Sequence, residues 1–148
     1  MTILRPRSII ITGGASGIGL AIAGHFSSSS SSTNSHITLL DIDSANGAQA
    51  LSILRSKHPT ASLSFEPCDV SSWENQAEVF EKVFRERGGV DVVFANAGIT
   101  EHGKFIASAL TGSDADGKPV KPSSKTVDVN FSGVIYCMFS GPIFPSFM

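Results

Sequence analysis

The stretch "IIITGGASGIGLAIA", Ile9 to Ala23, decides how this 148-residue chain is read. Three isoleucines and a threonine end abruptly in glycines, and an apolar, alanine-containing segment follows. A near-continuous run of β-branched residues suits a strand of a parallel sheet covered on both faces. Arg7 to Thr12 is therefore predicted as a buried strand and Gly17 to Phe26 as a helix, with Leu20, Ile22, Ala23 and Phe26 on or near one side. Between them Gly13, Gly17 and Gly19 stand at the spacing G-x-x-x-G-x-G. Gly13 lets the chain turn sharply out of the strand, a place for positive φ. Gly17, lacking a side chain, lets a pyrophosphate approach the backbone, and Gly19 lets the helix lie close on the sheet. The helix start offers free N–H groups and a positive dipole end to phosphates, and Ser16 adds a hydroxyl donor.

The same alternation continues outward. "HITLLDID" predicts a second strand, His36 to about Asp41. "SANGAQALSILRSKH" predicts a helix capped by Ser44, with Ala48, Leu51, Leu54 and His58 along one face and Pro59 as its stop. "ASLSFEPCDV" sends Ala61, Leu63 and Phe65 to one side, as a strand should. "SSWENQAEVFEKVFRER" carries a capping-box pattern, Ser71 with Glu74, and places Trp73, Ala77, Phe80 and Phe84 at helical spacing before Gly88 and Gly89. Val90 to Ala95 predicts a fourth strand, Ile99 to about Pro122 a long polar loop, and Ser124 to Phe139 a last helix. The order β-α-β-α-β-α-β-α predicts a parallel sheet with helical crossovers. The expectation is a single domain over residues 1–148, a Rossmann-like, doubly wound α/β sheet of about four strands. The serine run Ser27 to Ser35 has nothing to bury and reads as a flexible loop inside that unit.

In such sheets ligands bind beyond the carboxyl ends of the strands. An acidic residue, Asp41, ends the second strand about 22 residues beyond Gly19, close to the spacing of a ribose-binding carboxylate. It accepts from 2′- and 3′-hydroxyls but opposes a 2′-phosphate, at about 4 kcal/mol per charge pair for ~4 Å and an effective dielectric near 20, before screening. No Lys or Arg between Gly13 and Gly19, or in the ten residues after Asp41, offsets that repulsion. The pattern favours NAD over NADP. Asp43 is the alternative contact if the strand runs two residues further.

The bulk properties fit a globular protein. Hydrophobic residues make up 41% and charged residues 16%, and the net charge of −2 makes no case for nucleic acid or an anionic membrane. Cys68 and Cys137 are too few for a disulfide framework and suit buried positions in a reducing compartment. The apolar run before the first glycines is too short for a signal-peptide core, and nothing approaches the ~18 apolar residues of a membrane span. A cytoplasmic protein is expected. His25, His36, His58 and His102 show no ligand spacing, so no metal is expected, and no G-x-S-x-G elbow supports a hydrolase.

Taken in order, "TGGASGIG" (Thr12 to Gly19), "LLDID" (Leu39 to Asp43), "CDVSS" (Cys68 to Ser72), "ANAG" (Ala95 to Gly98) and "VDVNFSGVIY" (Val127 to Tyr136) resemble the short-chain dehydrogenases/reductases up to about Phe139. The nearest subgroup looks like the NAD-dependent, hydroxyprostaglandin-dehydrogenase-like members. The resemblance implies a dinucleotide loop of Gly13, Ser16, Gly17, Ile18 and Gly19, with Ile18 near the nicotinamide half. It implies that Asp41 holds the adenosine ribose, that Asp69 bonds the adenine amino group with Val70 behind it, and that Asn96, Ala97 and Gly98 line the pocket. It implies a catalytic-group role for Asn130, which helps hold a proton-relay water, and hydride transfer between the cofactor and a secondary alcohol or ketone.

The chain departs from the family where the acid/base should stand. The family pairs a tyrosine with a lysine four residues on, because a tyrosine near pKa 10 is a poor base without a cation beside it. Here the one tyrosine, Tyr136, is followed four residues later by Ser140, and no Lys or Arg occurs after Lys125. Tyr136 is expected to be a packing residue. The fifth-strand serine is likewise expected to be absent, and the tail 140–148 matches nothing anticipated. The expectation is a cofactor-binding unit without independent turnover, or a non-catalytic dinucleotide binder paired with itself or a full-length relative. The strand "VDVVFA" would then be an exposed edge, and Val134, Ile135, Met138 and Phe139 an exposed patch.

Overall fold

The computed structural model describes residues 6–28, 34–100, 116–118 and 121–140. Four parallel strands form one sheet in the order β3-β2-β1-β4: β1 (Arg7–Thr12), β2 (Ser35–Asp41), β3 (Ser62–Pro67) and β4 (Val92–Phe94). Ile9 pairs with Ile37 on one side and with Val92 on the other. Helices α1 (Gly17–Ser28), α2 (Ser44–Lys57) and α3 (Trp73–Arg87) follow β1, β2 and β3. After β4 come a short helix α4 (Lys125–Val127), a π-turn (Asp128–Ser132) and helix α5 (Gly133–Ser140). The doubly wound α/β reading of the sequence holds.

The strand period of two sorts the core into two layers. Ile9, Ile11, Ile37, Leu39 and Leu63 meet Ala23 of α1 and Ala50 and Leu54 of α2. Ile10 and Leu40 face the other way, onto Val79, Phe80 and Val83 of α3, Val129 and Cys137. This is why the isoleucine run is continuous: each face of β1 is covered. Full burial of one such side chain stabilises by about 1.5–3 kcal/mol. Ala61 and Phe65 flank Leu63 on the expected side. Both cysteines are free and buried, and burial pushes the Cys68 thiol up to about 12.

Several local expectations are corrected. The N-cap of α2 is Asp43, not Ser44: its Oδ1 accepts from the Asn46 N–H at 3.0 Å. The N-cap of α3 is Ser72, not Ser71, and accepts from the Asn75 N–H at 3.2 Å. Ser72 has the extended backbone a cap requires, whereas Ser71 is turned toward Asp69. The buried stripe of α3 is Gln76, Val79, Phe80 and Val83, leaving Trp73 and Phe84 42% and 43% exposed. Gln76 anchors that rotation. With Nε2 donating to the Val70 carbonyl at 3.1 Å and Oε1 accepting from the Cys137 N–H at 2.7 Å, its amide is satisfied at both ends.

Helix α2 buries Leu54 as expected, but with Gly47 and Ala50 in place of Ala48, Leu51 and His58. A Cβ at Gly47 would overlap the Phe65 ring, so only glycine fits at that point of the helix against β3. Strand β4 is shorter than Val90–Ala95: it runs from Val92 to Phe94 and pairs with Ile9, Ile10 and Ile11 of β1. Among the described residues it is one edge of the sheet, β3 being the other. Ser27 and Ser28 belong to α1, where the buried Ser27 hydroxyl donates to the Ala23 carbonyl at 2.7 Å; Ser29 to Thr33 lie outside the described residues, as do most of the predicted loop 99–122, His102 and the tail 141–148. Val134 and Ile135 are half-buried, while Met138 and Phe139 are exposed. Tyr136 packs edge-on against Trp73, with ring centroids 5.6 Å apart.

Candidate functional site

At the carboxyl end of the sheet the chain turns out of β1 through Gly13 (φ +64°) and into α1 through Gly17 (φ +51°). The loop between them is tied to β2 twice. The Gly14 N–H donates to the Leu40 carbonyl at 3.0 Å, and the Ala15 N–H donates to Asp41 Oδ2 at 3.1 Å. The other oxygen of Asp41 accepts from the Asp43 N–H at 3.1 Å. Asp41 is thus a fixed carboxylate at the loop's edge, whichever residue it meets next.

A Cβ on Gly13 would stand 2.9 Å from Ala97 Cα, so this glycine admits the end of β4. A Cβ on Gly19 would collide with the Gly13 carbonyl. The close approach at Gly19 is therefore to the glycine turn itself, not to the strands of the sheet. Gly17 is different: nothing lies within 4 Å of the Cβ position there. The space over Gly17 is open, and it belongs to a cavity.

That cavity holds about 410 Å³ and is lined by Gly13, Ser16, Gly17 and Ile18 from the glycine corner, and by Asp41 and Ile42 after β2. Cys68, Asp69 and Val70 line it after β3, Asn96, Ala97, Gly98 and Ile99 after β4, and Lys125 and Val129 from the last helical segment. Ten of the predicted cofactor-contacting residues share this one space. Gly19 does not line it, and neither does Asn130. The volume lies within the range of small-molecule sites.

Each wall has its own support. Thr12 ends β1 with its hydroxyl donating to the Phe94 carbonyl at 3.3 Å and accepting from the Asn96 and Ala97 N–H groups, each at 3.0 Å. Asn96 returns a bond from Nδ2 to the Thr12 carbonyl at 3.1 Å. Asn96 therefore joins the ends of β1 and β4 as well as lining the cavity. The Asp69 carboxyl accepts from the Ser71 hydroxyl at 2.6 Å and its N–H at 2.9 Å. The Ser71 hydroxyl, against some burial, holds it below the usual carboxylate range, with help from the Ser71 N–H and the Lys125 charge. Val70 is buried behind Asp69, and a Cβ on Gly133 would sit 3.0 Å from its carbonyl.

Asn130 lies in the π-turn. Its Oδ1 accepts from the Ile99 N–H and its Nδ2 donates to the Ile99 carbonyl, both at 2.8 Å. Five wall residues escaped the sequence reading: Ile42, Cys68, Ile99, Lys125 and Val129. Position was the available signal for four of them, since Ile42 and Cys68 adjoin predicted residues, Ile99 follows Gly98 and Val129 precedes Asn130. For Lys125 there was none, because a long loop separates it from β4. No group of His, Cys, Asp and Glu among the described residues could hold a metal ion. No helix among them is long and apolar enough to cross a membrane.

A parallel α/β sheet with a glycine corner opening on a cavity at its carboxyl edge defines a nucleotide-binding class of protein. The sequence pattern of the family described as short chain dehydrogenase matches residues 7–141, and the chain belongs to that family. It is 34% identical over 133 residues to the short-chain dehydrogenase/reductase ascJ of Acremonium egyptiacum, covering 90% of this chain and 40% of that protein. It is 35% identical over 140 residues to the NADP-dependent dehydrogenase M3 of Phoma sp., covering 93% and 38%. A crystal structure of a short-chain dehydrogenase/reductase of the glucose/ribitol dehydrogenase kind from Brucella melitensis superposes with a TM-score of 0.69 at 26% identity, over 93% of this chain and 51% of that one. The chain spans about 40% of the length of these two curated relatives.

Proposed function

We propose that residues 1–148 form one NAD-binding unit and that the 410 Å³ cavity is the cofactor site. Open space over the positive-φ Gly17, beside the free amides of the α1 start, is the observation that carries this. Gly13, Ser16, Gly17 and Ile18 would form the diphosphate corner, with Gly19 packed behind it on the Gly13 carbonyl, and Asp41 would accept from the adenosine ribose. Asp69 and Val70 would bound the adenine, and Asn96, Ala97 and Gly98 the far wall. The cofactor would supply hydride exchange with a secondary alcohol or ketone; the chain's own part is to bind, orient and exclude water.

Asp41 supports NAD in preference to NADP, since a carboxylate lining the cavity after β2 would oppose a 2′-phosphate. A relative described as NADP-dependent makes this the point to test. The kinship with hydroxyprostaglandin-dehydrogenase-like members belongs to the same proposal and rests on the sequence motifs alone, as does a cytoplasmic location.

These 148 residues hold no tyrosine followed by a lysine four positions on. We infer that they bind the dinucleotide without turning over by themselves, Asn130 being the one catalytic-group residue among them. A second reading, a non-catalytic dinucleotide binder paired with a copy of itself or a longer relative, is favoured by the exposed Phe131, Met138 and Phe139. Calorimetry with NADH and NADPH, beside an assay of NAD reduction by a panel of secondary alcohols, tests both. NADH binding tighter than NADPH binding, without turnover, is expected. Turnover by the purified chain would overturn the catalytic part, and failure to bind either cofactor would overturn the whole.

A further inference from the structure

Among the described residues lining the cavity there are two carboxylates, Asp41 and Asp69, and a single Lys or Arg side chain, Lys125. Lys125 opens the last helical segment and is exposed. A dinucleotide brings a diphosphate carrying two negative charges into this space, and by themselves the two carboxylates would oppose it.

Both carboxylates are already occupied from their own sides. Asp41 accepts from the Ala15 and Asp43 N–H groups, and Asp69 from the Ser71 hydroxyl and N–H. Asp69 therefore does not need the lysine for a hydrogen-bond partner. The Lys125 charge is nevertheless felt there, since it helps keep the Asp69 carboxyl ionised. Lys125 lines the same cavity as Asp69, on the side of the last helical segment. Its donors are compact, mobile and suited to phosphate oxygens as a point charge.

We propose that Lys125 is a phosphate-recognition residue of this site, supplying from the helix side the positive charge that the glycine corner lacks. The proposal rests on dinucleotide binding at the cavity. The chemistry recognised is a phosphate group of the bound nucleotide, either the diphosphate or a 2′-phosphate.

Calorimetry on the full chain, with adenosine, ADP-ribose, NADH and NADPH as ligands, tests it on the wild type, Lys125→Met and Lys125→Arg. For Lys125→Met the Kd of ADP-ribose and NADH should rise about fivefold, the upper end for an exposed ion pair. Adenosine affinity should not change, Lys125→Arg should stay within about twofold of wild type, and the loss should shrink as salt is raised. Equal losses for NADH and NADPH assign the lysine to the diphosphate, and a larger loss for NADPH assigns it to the 2′-phosphate. Unchanged affinity for all four ligands in Lys125→Met would overturn the proposal, and so would an adenosine loss as large as the NADH loss. A wild type that binds none of the four overturns the cofactor site itself, a failure visible without any variant.

Discussion

The Asn130 side chain and the Ile99 main chain close a ring of two hydrogen bonds, each 2.8 Å long, across 31 residues of sequence. One amide thereby satisfies both backbone groups of a residue that has left the sheet and lines the cavity. A side-chain amide has the donor and acceptor spacing for this; a carboxylate or an aliphatic side chain does not.

Asn130→Asp should therefore be worse than Asn130→Ala. The aspartate keeps the bond from the Ile99 N–H but sets an oxygen against the Ile99 carbonyl, whereas alanine leaves both groups to water. Losses of about 1–2 kcal/mol for the aspartate and about 1 kcal/mol for the alanine are expected from urea unfolding. Amide hydrogen exchange at Ile99 should speed up in the alanine variant. Unchanged Ile99 exchange there would show that the ring does not hold the wall.

Gly17 and Gly19 should separate binding from folding. Gly17→Ala meets no atom but strains a positive φ, so about 1 kcal/mol of stability should be lost. Its methyl group would stand in the cavity mouth and weaken NADH binding by tenfold or more. Gly19→Ala collides with the Gly13 carbonyl and should cost about 2–3 kcal/mol. Thermal melts with and without NADH distinguish the two, and equal stability losses would contradict the geometry.

Asp41→Ala should narrow or reverse the proposed preference for NADH. On that proposal it removes a carboxylate that would oppose a 2′-phosphate, along with a ribose acceptor. Relative affinity for NADPH should improve about tenfold, equivalent to 1.4 kcal/mol and well inside the ~4 kcal/mol of a close charge pair. The readout is the ratio of the two Kd values; a ratio unmoved by the substitution would place the ribose elsewhere.

His36 gives the fold a pH dependence far from the cavity. Its ring nitrogens lie 2.7 Å from the Ser62 hydroxyl and 2.8 Å from that of Ser64. Burial, with the Arg87 charge beside it, lowers its pKa from 6.5 to about 4. The unfolded chain therefore binds this proton first. Stability from the neutral ring is complete above about pH 6.5 and is lost as the pH falls toward 4. Roughly 1–2 kcal/mol of difference is expected over that window. Urea midpoints of wild type and His36→Gln, compared across it, should converge as the pH falls; parallel curves would refute the assignment.

Much of this was legible in the residues alone. The isoleucines of β1, the glycine corner, the carboxylate ending β2 and the β-α alternation are local signals, each set by steric or burial demands within a few residues. They led to the sheet and to ten of the cavity's walls. What stayed hidden depends on neighbours distant in the chain. Both candidate stripes of α3 have helical period, and Gln76 is chosen because Val70 and Cys137 lie opposite it. Gly47 faces inward on α2 because Phe65 is already there.

By itself, then, the sequence determined which segments are strands and helices and where the chain turns through glycine, because backbone sterics and periodic hydrophobicity act over short spans. Only the tertiary structure decided which helix faces are buried, that Thr12 locks β4 to β1, that Asn130 pins the Ile99 main chain, and that Lys125 comes to the cavity. Those outcomes rest on contacts between residues separated by long stretches of chain, whose partners exist only once the sheet has brought them together.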